Sequence, residues 1–459
     1  MEVLQRTANR GSISTASAYE IDNSLKLNSA NSEYLYITRD ASGSDWNRLL
    51  WTASMWVKHI PNEDTSTAPK ERMFGASDAN SDFDIRFRGQ PIGFRNNSDV
   101  DGVAELRTTA VYRDYSAWYH VVAVWDTANG TAGNRMRLYV NGEEVTSFST
   151  DTQPSQNEKS IWGKKNDGTD GDVVHTIGAY YNSSSGFAQG FNGYMAEVHW
   201  VEGAALAPTE FGEFDDDSGI WKPKEADVTY GTNGFYLKFD DSSALGADSS
   251  GNSNNWSLNN IAAADQATDT PTNNFCIMNV LKGGINLSGT VYNRLPLMTE
   301  GATVVGNNAN SYTFLEATMG VTSGKWYWEM KPTVDANTLV SGAGIATNTN
   351  LGFSSTDGVG NFFYHYAGTR YVNGASTGYG AAWTTNDIIG FAYDADNWTL
   401  TCYINNSSQG NLLASQADLS AEIAVPYMYS YGTHTYQWNF GGYHANSLSS
   451  AASDANGYG

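Results

Sequence analysis

The sequence has no long apolar run. No stretch reaches the ~18 consecutive apolar residues that a membrane-spanning helix needs. Its first 20 residues also lack the continuous apolar segment of a secretory signal peptide. We therefore expect a protein that is made in a cytoplasm without a signal peptide and does not insert into a membrane.

The chain is also poor in cysteine and in basic residues. Two cysteines in 459 residues cannot form a disulfide framework. Cys402 falls on the apolar face of an alternating strand, which favours a small core residue over a reactive thiol. The 26 Lys and Arg residues face 49 Asp and Glu, giving a formal net charge of −23. Such a balance disfavours the neutralisation of phosphates, so nucleic-acid binding is not expected.

Aromatic residues and glycine are abundant instead. Aromatic side chains make up 13% of the chain, and 46 glycines stand against 10 prolines, which is unlike a disordered acidic protein. Apolar and polar residues alternate at period two, and no long helical period occurs. The clearest unit is Trp118–Glu144, whose strands lead to Asn141-Gly142, the pair with φ > 0 that a type I′ turn requires. The sequence therefore predicts an all-β protein.

The strand-rich segments fall into two blocks. The first spans residues 21–206, after an N-terminal arm of residues 1–20, and the second spans residues 284–459. Between them, residues 207–283 are rich in polar turn residues and include the acidic run Asp215–Asp217. This composition predicts an extended connector that is partly packed against its neighbours.

The first block resembles the laminin-G-like, concanavalin-A-like family. The similar phrases occur in the family's order over residues 20–213: NSLKLNSANSEYLYI, WTASMWVK, SAWYHVVAVWD, RLYVNGEEV, HTIGA and FNGYMAEVHWVEGAALAPTEF. The resemblance implies a two-sheet jelly roll. In that family a loop often holds a calcium ion.

The second block resembles a SPRY domain over residues 285–442. The similar phrases are GKWYWEM, NDIIGFAYDADNWTLTCYINNSSQG, VPYMYSYG and WNFG. Ser407-Ser408 departs from the pattern, in which glycine commonly follows the asparagine. The fold implied for the whole chain is two concanavalin-A-like jelly-roll sandwiches, laminin-G-like and then SPRY-like, joined by the connector.

Other phrases are similar to those of structural proteins of tailed phages, especially marine ones. They are LQRTANRGSIS, YRDYSAWYH, GIWKPK, YGTNGFYLKFDDSSALGADSSGNSNNW and TDTPTNNF. The resemblance implies a virion component of the tail-fibre or adhesin type. Its expected partners are other virion proteins and a host-surface glycan or protein receptor. A homo-oligomer is expected, a trimer being one candidate, and the SPRY-like block is expected to continue beyond Gly459.

Glycoside hydrolysis is the enzymatic alternative, because concanavalin-A-like folds include glucanases. That reaction needs two carboxylates, ~5–5.5 Å or ~6.5–9.5 Å apart. The E-x-D-x-x-E string of the family's hydrolases is absent, and Glu143-Glu144 are neighbours that point to opposite faces. Glu197 stands alone and is interpreted as a solvent-facing or loop-anchoring carboxylate. Motifs of serine hydrolases, P-loops and zinc proteases are also absent, so no catalytic residue and no enzyme is predicted.

Metal binding has only a weak signal. The histidines in or beside aromatic strands are interpreted as packed and hydrogen-bonded rather than as ligands: His120, His175, His199 and His365. Calcium favours oxygen ligands in polar loops, and five residues lie in such loops: Asp40, Asp45, Asp126, Asp248 and Asn252. Turn chemistry alone also accounts for these residues and is the favoured interpretation. No cofactor is predicted beyond this candidate structural calcium.

Two segments have the composition of recognition loops. Gly178–Phe187 and Phe362–Trp383 place aromatic residues among Gly, Ser and Asn, and flat rings suit the C–H faces of sugars. The candidate ligand-binding residues are Tyr180, Tyr181, Phe187, Tyr366, Tyr371, Tyr379 and Trp383. Packing of these loops against the protein itself or another subunit is an equal alternative. For the whole protein, a purely structural head or tail decoration protein and a glycoside hydrolase remain the alternatives to an adhesin.

Overall fold

A computed structural model describes residues 19–38, 45–61, 70–166, 173–182, 186–280, 297–307, 312–335, 341–347, 360–416, 419 and 422–443. These residues form β-strands and short 3₁₀ turns without an α-helix, so the all-β prediction is confirmed. No helix in this part of the chain is long and apolar enough to cross a membrane. The chain divides into a first compact unit that ends at Asn274 and a second that starts at Phe275.

The first unit contains twenty strands within the described residues. They are β1 Ser24–Leu27, β2 Tyr34–Thr38, β3 Leu50–His59, β4 Lys70–Ser77, β5 Asp82–Arg88, β6 Ile92–Ser98, β7 Gly102–Thr108, β8 Tyr119–Asp126, β9 Met136–Val140, β10 Glu143–Glu144, β11 Phe148–Thr152, β12 Val174–Ile177, β13 Tyr180–Asn182, β14 Gly186–Ala188, β15 Gly193–Glu202, β16 Gly212–Phe214, β17 Trp221–Pro223, β18 Phe235–Leu237, β19 Ser257–Asn259 and β20 Gln266–Ala267. The 3₁₀ turns are Ser29–Asn31, Ala132–Asn134, Pro208–Glu210 and Ala263–Asp265.

Sixteen of these strands build two antiparallel sheets that pack face to face, while β13 pairs with β14 and β16 with β17 in two separate hairpins. Sheet 1 has the order β10-β9-β8-β3-β15-β1-β20, with β18 also beside β15, and sheet 2 has the order β11-β7-β6-β5-β4-β12-β2-β19. Apolar side chains from both sheets form one core, in which Trp51, Trp125, Trp162 and Trp200 are completely buried. Alternation places every second side chain of a strand on the inner face, which yields the predicted two-layer sandwich.

The hairpin turn between β9 and β10 confirms the sequence prediction in detail. Asn141 has φ 49° and Gly142 has φ 83°, the two positive angles of a type I′ turn. A Cβ atom at Gly142 would lie 2.3 Å from the ring of Trp221. Glycine is therefore required here by its backbone angle and by the close approach of the indole.

The segment after the first sandwich is partly structured, as predicted, but most of it belongs to the first unit rather than to a connector. Strand β18 pairs with β15, β19 with β2 and β20 with β1. The reason lies in β8, which is apolar on both faces. Val122 and Val124 point away from the main core and form a second apolar cluster with Val201 and Phe211. A strand that is apolar on both faces must be packed against other residues on both faces.

The second unit contains two more antiparallel sheets. Its strands are β21 Leu297–Thr299, β22 Val304–Asn307, β23 Tyr312–Glu316, β24 Lys325–Asp335, β25 Ser341–Thr347, β26 Asn361–His365, β27 Thr369–Val372, β28 Ala375–Gly378, β29 Ile389–Asp394, β30 Thr399–Ile404, β31 Ser407–Leu413, β32 Ala424–Tyr431 and β33 His434–Asn439. Sheet 3 has the order β21-β22-β33-β24-β29-β30-β31, and sheet 4 has the order β23-β32-β25-β26-β27-β28. Cys402 is buried in β30, as predicted for a core residue.

Candidate ligand-binding face

The outer face of sheet 2 is charged, and the sequence of β5 shows why. In DFDIRFR, Phe83, Ile85 and Phe87 point into the core. The alternate positions Asp82, Asp84, Arg86 and Arg88 therefore share the opposite face. Neighbouring strands repeat this pattern, because Arg95 and Glu105 occupy the same row of the sheet as Asp84.

A β-bulge adds Arg72 to this face. The register between β4 and β5 shifts between Arg72 and Phe74, so one extra residue in β4 returns the Arg72 side chain to the outer side. We call the complete set the charged face. It consists of Lys70, Arg72, Asp82, Asp84, Arg86, Arg88, Arg95, Glu105 and Arg107.

Three carboxylates form ion pairs with the arginines of the charged face. One oxygen of Asp84 accepts from Arg72 at 2.6 Å and from Arg86 at 2.5 Å. Asp82 pairs with Arg95 at 2.7 Å. Glu105 pairs with Arg107 at 2.7 Å, and the guanidinium groups of Arg86 and Arg88 lie 3.5 and 3.7 Å from the same oxygen.

Positive charge exceeds negative charge on the charged face. It holds six cations, the five arginines and Lys70, against three carboxylates. Burial lowers the pKa of Lys70, Arg86 and Arg88, and neighbouring cations lower the pKa of each group further. Nearby carboxylates offset only part of this effect.

Two buried polar atoms of the charged face have no hydrogen-bond partner among the described residues. They are the second carboxylate oxygen of Asp84 and the Nε–H group of Arg86. Buried polar groups in native proteins are nearly always satisfied by protein or by ordered water. Because the side chains of Asp84 and Arg86 are 0% and 2% exposed, ordered water is the partner that can satisfy these two atoms.

The β13–β14 hairpin lies across the charged sheet beside these groups. Gly75 of β4 makes this possible, because a Cβ atom there would lie 2.8 Å from the carbonyl oxygen of Ala179. The hydroxyl of Ser77 donates to the carbonyl of Tyr181. The guanidinium of Arg72 lies 3.8 Å from the ring centre of Tyr180, within cation–π range.

Aromatic rings line the hairpin and the adjacent strand β2. Phe187 stacks on Tyr34 with ring centres 4.1 Å apart and lies 6.0 Å from Tyr36. Tyr181 lies 4.9 Å from Phe187. We call these rings, with Tyr180, the aromatic wall. The structure thus brings together the three ligand-binding residues predicted in the first block, next to a charged face that the sequence analysis did not single out.

The four ligand-binding residues predicted in the second block do not form a recognition loop. Most of Phe362–Trp383 is strand, in β26, β27 and β28. Trp383 is 2% exposed and therefore a core residue. Tyr371 stacks on Phe363 at 4.6 Å, and the Tyr379 hydroxyl donates to the carbonyl of Gly410.

Tyr366 is half-buried and packs edge-on to Trp383. Tyr379 and Trp383 follow β28 and pack against neighbouring segments, so the recognition-loop prediction was wrong for Trp383, and packing accounts for Tyr371 and Tyr379.

The calcium candidates are engaged in turns. Asp248 accepts four hydrogen bonds, from the backbone N–H groups of Tyr236, Ser250 and Asn254 and from the Ser250 hydroxyl. The amide of Asn252 donates to the carbonyls of Gly231 and Gly234.

The remaining candidates lie apart from these two. Asp45 accepts from Arg48 and from the backbone of Lys165, and Asp126 accepts from Asn129. Asp40 lies outside the described residues. These hydrogen bonds agree with the favoured turn interpretation, and calcium stays a prediction.

Glu197 is buried, so the prediction of a solvent-facing carboxylate was wrong and the loop-anchoring alternative holds. It has φ 49° at a bulge of β15. Its carboxylate accepts from the hydroxyls of Tyr19 and Tyr236 at 2.8 and 2.6 Å, and His199 lies 3.6 Å away. Burial raises the pKa of Glu197, but hydrogen bonds from His199, Tyr236 and Tyr19 bring it below its ordinary value. The carboxylate thereby fastens the chain before β1 and strand β18 to sheet 1.

The histidines are packed and hydrogen-bonded, as predicted. His175 accepts from the backbone of Gly163, and His365 accepts from the backbone of Ala367. His120 lies 2.8 Å from the Ser54 hydroxyl, a contact that resembles half of a catalytic triad.

The indole N–H of Trp221 donates to Nδ1 of this ring at 3.0 Å, so its Nε2 carries the proton. A triad histidine needs the opposite tautomer to accept the serine proton. Burial also lowers the pKa of His120 to about 3.

Fold and site together define a β-sandwich domain of the concanavalin-A-like kind with a charged outer face. Residues 29–210 match the family model Laminin_G_3, described as the concanavalin A-like lectin/glucanases superfamily. This match confirms the predicted laminin-G-like domain, and it covers less than half of the chain. No curated protein matches the chain.

Solved structures with a similar fold include SPRY domains and a pentraxin. The SPRY domain of human HERC1 is 18% identical, with 32% of this chain and 92% of that chain covered and a TM-score of 0.29. A human SPRY domain is 14% identical, with coverages of 32% and 94% and a TM-score of 0.26. The heptameric SAP-like pentraxin of Limulus polyphemus is 13% identical, with coverages of 41% and 80% and a TM-score of 0.28. At these TM-scores no property of those proteins is transferred to this chain.

Proposed function

We propose that this protein is a non-enzymatic adhesin, a tail-fibre-like component of a phage virion, whose first unit binds a glycan on the host surface. One observation supports this most strongly: the charged face lies directly beside the aromatic wall. Aromatic rings bind sugar C–H faces, and charged side chains bind hydroxyl groups. The virion location rests on the phrases shared with tailed-phage structural proteins.

Binding without bond cleavage is proposed because the carboxylates of the charged face are already engaged. Asp82 and Asp84 lie two residues apart on one side of β5, a spacing that glycoside hydrolysis could use. Asp84 holds Arg72 and Arg86, while Asp82 holds Arg95 and accepts from Asn97. We therefore assign these carboxylates to the positioning of arginines.

The attachment would gain strength from several copies in one particle. Each charged face can bind weakly, because linked sites raise the effective concentration of the next contact. We propose a homo-oligomer, with a trimer as one candidate, held by other virion proteins.

The test is incubation of the purified chain with polysaccharide from the host surface. We expect binding without new reducing ends, and Tyr180→Ala should weaken it. Tyr327→Ala is the matched control, since Tyr327 is an exposed tyrosine of the second unit. Released oligosaccharide would contradict the proposal and indicate a hydrolase. Absence of both binding and release would favour a decoration protein.

A further inference from the structure

We propose that the ligand of the charged face is an acidic polysaccharide whose anionic groups bind at Arg88, Arg107 and Lys70. This inference rests on the proposed function, since it specifies the chemical class of the glycan. It concerns the end of the charged face at which β4, β5 and β7 present these three cations.

Charge is the first argument. The chain as a whole carries a formal charge of −23, yet the charged face carries six cations and three carboxylates, a local excess of three positive charges. A purely structural ion network would balance its charges, because unpaired buried charge is costly. A bound anion would restore the balance.

The distribution of the ion pairs locates the excess. Arg88 and Arg107 share the single carboxylate of Glu105 at 3.7 and 2.7 Å. Lys70 stands opposite Arg88 in the register of β4 and β5, and no carboxylate within ion-pair distance of its ammonium is found among the described residues. At this end of the charged face, Glu105 therefore pairs with two of the three neighbouring cations, Arg88 and Arg107, and Lys70 adds a third positive charge.

These arginines can reach a ligand. The side chains of Arg88 and Arg107 are 31% and 26% exposed, whereas Arg86 behind them is 2% exposed. A guanidinium group binds carboxylate, sulfate or phosphate through two parallel N–H donors. The buried arginine and its carboxylates fix the position of the exposed pair.

A polysaccharide fits the remaining features better than an acidic peptide. The aromatic wall offers flat rings beside the cations, since the ring centre of Tyr180 lies 3.8 Å from the Arg72 guanidinium. Each acidic sugar carries an anionic group, hydroxyl donors and a C–H face within one ring. An acidic peptide supplies the anion but lacks the hydroxyl-bearing C–H face.

The experiment compares defined polymers by calorimetry with the whole chain. Alginate tests a carboxylate, dextran sulfate a sulfate, dextran a neutral sugar and poly-glutamate a charged peptide. We expect alginate or dextran sulfate to bind at least about tenfold more tightly than dextran and poly-glutamate, with affinity falling as salt rises. The preferred polymer identifies the anionic group.

Variants locate the binding. Arg88→Gln/Arg107→Gln should lower the affinity for the preferred acidic polymer at least about tenfold, and Lys70→Gln should lower it in the same direction. Lys224→Gln/Lys238→Gln removes equal charge elsewhere on the first unit and should leave the affinity unchanged.

Three results would overturn the inference. If dextran binds as tightly as alginate and the arginine variant has no effect, the ligand is not anionic, although a glycan-binding function survives. If poly-glutamate binds as tightly as either acidic sugar, the polysaccharide class is wrong. If no polymer and no host polysaccharide binds, the proposed function itself fails.

Discussion

Replacing Gly75 with alanine should push the β13–β14 hairpin away from sheet 2. The new Cβ would lie 2.7 Å from the hydroxyl of Thr176 and 2.8 Å from the carbonyl oxygen of Ala179. The second contact is with backbone, so no side-chain rotation relieves it. Because the hairpin holds Tyr180 over Arg72, the change should disturb the aromatic wall.

The cost follows from overpacking, which typically destabilises a protein by about 1–3 kcal/mol. For a unit of this size that corresponds to a fall in unfolding temperature of about 2–12 °C. Gly93→Ala is the matched control on the same face, because its Cβ would meet Arg86 at an ordinary 3.6 Å.

Both variants should be measured by thermal unfolding and by glycan binding. Gly75→Ala should lose stability and affinity, while Gly93→Ala should keep both. Equal stability and equal affinity for the two variants would refute the placement of the hairpin on this sheet.

Four further predictions concern stability. Gly142→Ala should destabilise more than Gly102→Ala by about 1–3 kcal/mol in denaturant unfolding, since both have positive φ but only Gly142 meets a packed ring; equal losses would contradict that packing. The lowered pKa of Glu197 stabilises the fold above the ordinary glutamate value of about 4.5, and this contribution is lost as the pH falls further; in denaturant unfolding, Glu197→Gln should therefore reduce the loss of stability with falling pH below about 4.5. His120, with its pKa lowered to about 3, stays neutral in the fold while the unfolded chain binds a proton; stability should fall from about pH 6.5 towards pH 3, less so in His120→Phe. Because Asp248 accepts four hydrogen bonds from the protein, the turn interpretation predicts that EDTA does not shift the unfolding temperature, and a rise on adding calcium would support the calcium alternative instead.

Local patterns predicted the fold well where one strand or turn decides the outcome. Period-two alternation predicted an all-β protein, and the Asn141-Gly142 pair predicted the hairpin turn. A turn of the same local kind occurs at Asp394–Asn397, where Asp394 accepts from the backbone N–H groups of Asp396 and Asn397. Such features depend on neighbouring residues alone.

Features that depend on residues far apart in the sequence could not be predicted from local patterns. The charged face requires side chains from four strands, and a bulge in β4 decides whether Arg72 belongs to it. The alternation in DFDIRFR is a signal for such a face, but it does not reveal which cations lack partners. Burial of Trp383, which lies between strands β28 and β29, also depends on tertiary packing that composition cannot show.

Residues beyond position 210 pack over the outer side of sheet 1, and this packing decides where the chain can be divided into fragments. The match to the family model ends at residue 210, but the compact unit ends at Asn274. A fragment that ends at residue 210 would expose Val122, Val124 and Val201 to solvent. It would also lack β18, the strand that pairs with β15. Such a fragment should aggregate during expression, whereas a fragment extended to Asn274 keeps these side chains buried and β15 paired with β18.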